Sequence, residues 1–252
     1  MSLLPHQELS FQLYECLDTA TLLERERFQE HTLETFNAVL ATAEKIATDL
    51  FLPHNAKGDQ QEPHFDGQTI TMIDEVKVAY DAFCDAGFIA AKMDFAEGGM
   101  QLPETIMTGC SGYFMAANPA TTAYPFLTTA AVNVIKHFAS ARLKAQYLPK
   151  MLTGEYSGTM ALTEPHAGSG LADITTAAHP TEAEHYLIKG SKLYISAGEH
   201  QLSNNIVHLV LAKIPGGPKG VKGISLFVVP KFRLAEDGQL GSRNDVTLAG
   251  LI

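Results

Sequence analysis

Residues 158–163 read as a strand that runs into Glu164-Pro165-His166-Ala167-Gly168-Ser169-Gly170-Leu171, and this stretch holds the residue types best suited to chemistry in the chain. Proline and small residues directly after a strand bare the backbone to close approach. Its amides and the Thr163 and Ser169 hydroxyls can then receive an anionic or planar polar ligand. An ordinary turn is the plainer use of the same residues, because Gly and Pro punctuate loops everywhere. Glu164 is an acid beside the segment, and general-base work there requires geometry before pKa. A structural role is the reading preferred for it.

Other chemistries lack their signatures. Ser169 sits in AGSGL, where Ala167 stands at the first glycine of a nucleophile elbow. There is no G-x-x-x-x-G-K-[ST] loop, and Gly217, Gly220 and Gly223 do not form G-x-G-x-x-G between a strand and a helix. The 10 histidines include no H-E-x-x-H pair, so no metal ligands are expected. Cys16, Cys84 and Cys110 form no C-x-x-C pair and are expected as buried thiols. Eighteen Lys+Arg against 28 Asp+Glu give a net charge of −10, which opposes attraction to a nucleic acid backbone. No apolar run reaches the length of a membrane span, and MSLLPHQELS lacks the basic head of a signal peptide, so a cytoplasmic protein is expected.

The elements that must position the segment change character near residue 155. Before it the period is helical. Leu33, Phe36, Leu40, Ala43, Ala47 and Leu50 make a stripe over 32–50, ahead of Pro53. Ile73, Val76, Tyr80, Phe83 and Cys84 make a second, closed by Gly87. A third helix from Pro103 should stop at Asn118-Pro119, a fourth fits 126–138, and Ser140 can cap a fifth through Tyr147. Beyond Gly154 short β-rich runs predict strands at 158–163, 174–179, 185–189, 192–196, 206–213 and 224–229. The run IVHLVLA is apolar on both faces and predicts a central strand, and PGGPKGVKG suits a hairpin-like connection after it. The fold class expected is α+β multidomain: an N-terminal all-helical domain over 1–154, with 1–30 as an extension, then a β-sheet or barrel-like middle domain over 155–252.

MALTEPHAGSGL, residues 160–171, resembles the flavin-binding signature of the acyl-CoA dehydrogenase family. DFAEGGMQLP, YLPKMLTGEYSGTMALTEP, KGSKLYISAGEH and KGISLFVVPKF extend the resemblance along nearly the whole chain. Residues 195–231 look most like the methylmercaptopropionyl-CoA dehydrogenase-like branch of large bacterial members. The resemblance implies an FAD-dependent oxidoreductase of fatty acid metabolism that dehydrogenates an acyl-CoA at its α,β bond and passes electrons to an electron-transfer flavoprotein. Met160, Leu162 and Thr163 are then implied at the flavin ring, and Gly168 and Ser169 beside the pyrophosphate, with Ser169 also near substrate. Tyr194, Ile195 and Ser196 correspond to a triplet that shields the flavin, Tyr194 standing where the family commonly has tryptophan.

Two departures from the family pattern stand out. The aspartate expected after Ser169 is Gly170 and the basic residue expected nearby is Thr175, which predicts a looser loop. The family's catalytic base is a glutamate on a C-terminal helical bundle, and LGSRNDVTLAGLI reads as the run-up to that bundle. The bundle is therefore expected outside this chain, with no catalytic residue within it. A truncated portion of this kind is expected to be inactive alone, to hold FAD weakly and to associate as a homo-oligomer. The alternative is a non-catalytic binding or interaction protein derived from the same family.

Overall fold

The computed structural model describes residues 3–183, 185–235 and 237–252. Short helical turns at His6–Ser10, Phe11–Cys16 and Thr19–Glu24 precede helix α1, Leu33–Ile46. Thr32 caps α1 reciprocally with Thr35: Thr35 N–H donates to Thr32 Oγ1 at 3.1 Å and Thr32 N–H to Thr35 Oγ1 at 2.8 Å. The predicted stripe continues past α1 as a wider turn at Ala47–Phe51. Helix α2 is Asp74–Asp85, and Gly87 follows it with φ +76°, as its C-terminal position demands. Helix α3, Glu104–Ala117, stops at Asn118, which is extended before Pro119.

Helix α4, Pro119–Phe138, begins well ahead of Phe126. Pro119 costs nothing in a first turn, where its N–H would be unpaired, and the Asn118 side chain accepts from Thr121 N–H at 3.0 Å. Helix α5, Ala141–Leu152, also outruns its expected end. The chain forms two compact units, one of residues 1–64, 71–129 and 152–154, the other of 65–70, 130–151 and 155–252. In the first, Phe83 and Phe114 pack edge-on at 4.9 Å between ring centres, with Phe51 and Phe88 against Phe114 at 5.0 and 5.3 Å. Cys84 and Cys110 are buried, and burial pushes both thiols up to about 12. Cys16 is exposed instead, because it ends a surface turn.

The second unit is built on a five-stranded mixed sheet. Its strands are β1 Tyr156–Ala161, β2 Ala177–Pro180, β3 Tyr186–Lys189, β4 Asn205–Lys213 and β5 Ile224–Pro230. β4 is central, as its apolar run predicts, with β1 parallel on one edge and β5 antiparallel on the other. β2 meets the end of β4 at Ala177 and Lys213, and β3 pairs with β2. A two-stranded ribbon, β6 Phe232–Leu234 with β7 Leu240–Arg243, follows. Residues 192–196 form no strand. Among the described residues no helix is long and apolar enough to cross a membrane.

Candidate functional site

β1 ends at Ala161, so Leu162 and Thr163 lie just past the tip of a strand held in register by β4, where Ala161 pairs with Val210. The chain then folds back on itself: Glu164 N–H donates to Ala167 O at 2.8 Å and Ala167 N–H returns to Glu164 O at 3.1 Å. Asp173 N–H donates to Gly170 O at 3.0 Å and Lys213 Nζ to Ala172 O at 2.6 Å. The loop therefore has these ties although Gly170 stands where an aspartate is expected.

Glu164 organises this corner. Its side chain is 1% exposed and accepts from five donors: the N–H and hydroxyl of Thr175 at 2.7 and 2.9 Å, the N–H and hydroxyl of Thr176 at 3.0 and 2.5 Å, and Lys192 Nζ at 2.9 Å. Burial alone would raise its pKa, yet the bonds from Thr175, Thr176 and Lys192 outweigh it and hold the carboxyl well below the usual range. Thr175 thus donates at the position where the resemblance leads to the expectation of a basic residue. Drawing 174–176 onto Glu164 also delays β2, which starts at Ala177 rather than at Ile174. Gly190 is needed for close approach, because a Cβ there would lie 2.3 Å from the Thr176 hydroxyl oxygen.

Three bonds stitch residues 192–196 to β1 and its extension. Lys192 Nζ donates to Leu162 O at 3.0 Å, Leu193 N–H to Thr163 O at 2.9 Å, and Thr159 Oγ1 to Ser196 O at 2.6 Å. These bonds consume the groups a ladder would use. Tyr194 and Ala197 take left-handed backbone at φ +57° and +53°, which breaks the period of two. The Tyr194 ring, expected in the flavin-shielding triplet, is 69% exposed. Left-handed non-glycine residues cost on the order of 1 kcal/mol each. Glycine relieves that cost but loosens the unfolded chain by a similar amount. Tyr194→Gly and Ala197→Gly are therefore each expected to shift folding stability by less than about 1 kcal/mol in denaturant titrations, and a loss of more than about 2 for Tyr194→Gly would show that its ring packs in the fold.

The predicted site residues fall into two neighbouring groups. Met160, Leu162 and Thr163 are half-buried at the β1 tip, and Ile195 is half-buried between exposed Tyr194 and Ser196. Gly168 and Ser169 are exposed on the folded-back loop. Among the described residues the hydroxyls of Thr163, Ser169 and Ser196 meet no protein partner, nor does the Thr163 amide. A Cβ at Gly168 would meet only Thr163 Cγ2, at 3.8 Å, so the fold itself does not demand glycine there and the loop stays open to an outside group. Unengaged donors on these half-buried and exposed segments suit a ligand rich in acceptors. Sequence reasoning missed Lys192, Thr159 and Thr176. KGSKLY was visible as a motif, but their partners lie far along the chain.

A helical unit followed by a mixed sheet is a fold found among solved acyl-CoA dehydrogenases. It is shared with a Geobacillus kaustophilus acyl-CoA dehydrogenase (TM-score 0.62, 24% identity, 78% of this chain and 48% of that one). A Bacillus anthracis acyl-CoA dehydrogenase solved as a complex with FAD matches at TM-score 0.63 and 23% identity, over 81% of this chain and 32% of that one. The family description "Acyl-CoA dehydrogenase, N-terminal domain" matches residues 34–155 and "Acyl-CoA dehydrogenase, middle domain" residues 159–246. The chain belongs to the acyl-CoA dehydrogenase family. It is 36% identical over 89% of its length to 3-methylmercaptopropionyl-CoA dehydrogenase of Ruegeria pomeroyi, and 38% identical over 97% to a butyryl-CoA dehydrogenase of Syntrophomonas wolfei. It spans 38% and 41% of those two relatives' own lengths.

Proposed function

We propose that this chain supplies the flavin-binding part of an FAD-dependent acyl-CoA dehydrogenase. The observation that carries the reading is the set of unengaged donors at Thr163, Ser169 and Ser196, on segments stitched together by Lys192, Leu193 and Thr159. When bound, FAD supplies the hydride acceptor for α,β-dehydrogenation of an acyl-CoA thioester, with an electron-transfer flavoprotein as the onward acceptor. The Leu162–Thr163 segment would hold the polar edge of a bound ring beside Met160. Tyr194, Ile195 and Ser196 would cover it and offer a hydroxyl, and Gly168 and Ser169 would leave room for phosphate and substrate. Glu164 cannot serve as the base that takes the α-proton, because its oxygens are already occupied by five donors. The base is a carboxylate brought by another part of the assembled enzyme, and the chain alone does not turn over.

FAD titration of the purified chain, followed by flavin fluorescence, tests this reading. A lost neutral hydrogen bond is worth about 0.5–1.5 kcal/mol, with a further penalty if its partner stays dry. Thr163→Ala and Ser196→Ala are each expected to weaken FAD binding roughly three- to hundredfold. Unchanged affinity in both variants would remove the cofactor assignment. Acyl-CoA added without oxygen should leave the flavin absorbance of the loaded chain unbleached, and rapid bleaching would place a base within it.

A further inference from the structure

We propose that Lys192 is the positioning residue of the candidate flavin site, fixing the Leu162–Thr163 peptide so that the Thr163 amide faces outward. The proposal rests on the flavin reading above. A trans peptide carries its C=O and N–H on opposite sides. Lys192 Nζ lies 3.0 Å from the Leu162 carbonyl, so the Thr163 N–H on the same peptide is directed away from Lys192. That amide meets no acceptor among the described residues. The next peptide is held too, by Leu193 N–H on Thr163 O at 2.9 Å and by Glu164 N–H on Ala167 O at 2.8 Å.

The ammonium has two tasks at once. Its side chain is only 11% exposed, and Glu164 Oε1 stands 2.9 Å from the same Nζ. Glu164 fixes where the ammonium sits, through an anchor itself held by Thr175 and Thr176. Lys192 then aims the carbonyl. An ammonium that merely neutralised Glu164 would need no carbonyl partner, whereas here the peptide next to the open donors is the second acceptor. The chain thereby links the 192–196 segment, which carries Tyr194 and Ser196, to the β1 tip, which carries Leu162 and Thr163.

The two tasks separate in a pair of variants of the full 252-residue chain. Lys192→Met removes both, leaving Glu164 buried without its cation. Adding Glu164→Gln removes the stranded charge but does not restore the carbonyl contact. Three measurements are made on each protein: thermal midpoint, FAD dissociation constant by flavin fluorescence, and exchange of the Leu193 amide hydrogen without FAD. Lys192→Met is expected to lower the midpoint, weaken FAD at least tenfold and speed Leu193 exchange at least tenfold. The double variant is expected to regain part of the midpoint, limited by the NH₂ that Glu164→Gln turns toward the Thr175 and Thr176 donors, while FAD affinity and Leu193 protection stay lost. Recovery of both by the double variant would overturn the proposal and leave Lys192 a counter-ion only. So would unchanged Leu193 exchange in Lys192→Met. If the parent chain itself binds no FAD, the flavin reading fails and the exchange measurement alone decides: lost protection in both variants upholds the positioning role, and retained protection in either one overturns it.

Discussion

Glu164→Ala is expected to destabilise the sheet unit by about 3–5 kcal/mol, the range found when one partner of a buried ion pair is removed. The carboxylate is 1% exposed, so solvent does little to screen the loss. Its removal strands the ammonium of half-buried Lys192 and the amide of buried Thr176, and takes the acceptor from the amide of exposed Thr175 as well. Glu164→Gln keeps the shape but turns one acceptor oxygen into an NH₂ that faces donors on either side. It is expected to cost somewhat less, about 2–3 kcal/mol. Urea titration measures both. A loss below about 1 kcal/mol for the alanine variant would mean that water substitutes readily for the carboxylate. The same group sets an acid limit. Its folded pKa is depressed, so its contribution is complete above the unfolded value of about 4.3 and is lost as pH falls below that toward the folded value.

The sequence reveals this corner only in part, and the reasons are physical. Helices α1, α2 and α3 are legible because their 3.6 period and the stop signals at Gly87 and Asn118-Pro119 are local to each helix. β4 is legible because a run apolar on both faces has few places to go except the middle of a sheet. Residues 192–196 read as a strand because Leu193, Tyr194 and Ile195 make a short β-rich run, but such a run says nothing about bonds to residues 30 or more positions away. The Lys192 bond to Leu162 and the Thr159 bond to Ser196 override the local pattern, and left-handed Tyr194 and Ala197 complete the break. The early start of α4 was hidden by Pro119 and Pro125, which resemble breakers in a sequence. At the start of a helix Pro119 is instead favourable. Thr175, which reads in sequence as a lost basic residue, belongs to the Glu164 cluster, and only the fold shows it donating there.

Stability is expected to fall between about pH 6.5 and pH 4.5, before Glu164 begins to protonate, because His200 and His208 are folded in the neutral form. His200 is fully buried and its pKa is pushed down to about 3, chiefly by burial and also by Lys231, with Glu199 opposing. His208, on β4, is pushed down to about 4 by burial, with Lys231 and Arg243 adding and Glu199 again opposing. The geometry gives His200 a definite tautomer. Leu202 N–H donates to its Nδ1 at 3.1 Å, so the ring hydrogen sits on Nε2, which lies 3.1 Å from Ser157 Oγ. A second proton on Nδ1 would expel the Leu202 amide and add a cation beside Lys231, which already pairs with Glu199 and donates to His200 O.

The direction of the effect follows from proton counts. With both folded pKa values below the unfolded value of about 6.5, the unfolded state binds more protons across the window. Stability from these groups is therefore complete above about pH 6.5 and is lost as pH falls toward the folded values, with a slope approaching about 1.4 kcal/mol per pH unit for each histidine. Several kcal/mol are at stake by about pH 4.5, a large share of a domain's total stability. His200→Asn keeps an acceptor for the Leu202 amide without a group that titrates in this range, and His208→Gln removes the second site. Unfolding free energies measured from pH 7 to 4.5 should show each single variant lowering the proton uptake by about one and the pair nearly flattening the curve. An unchanged slope in His200→Asn would mean that His200 is not held neutral by its burial and its Leu202 bond.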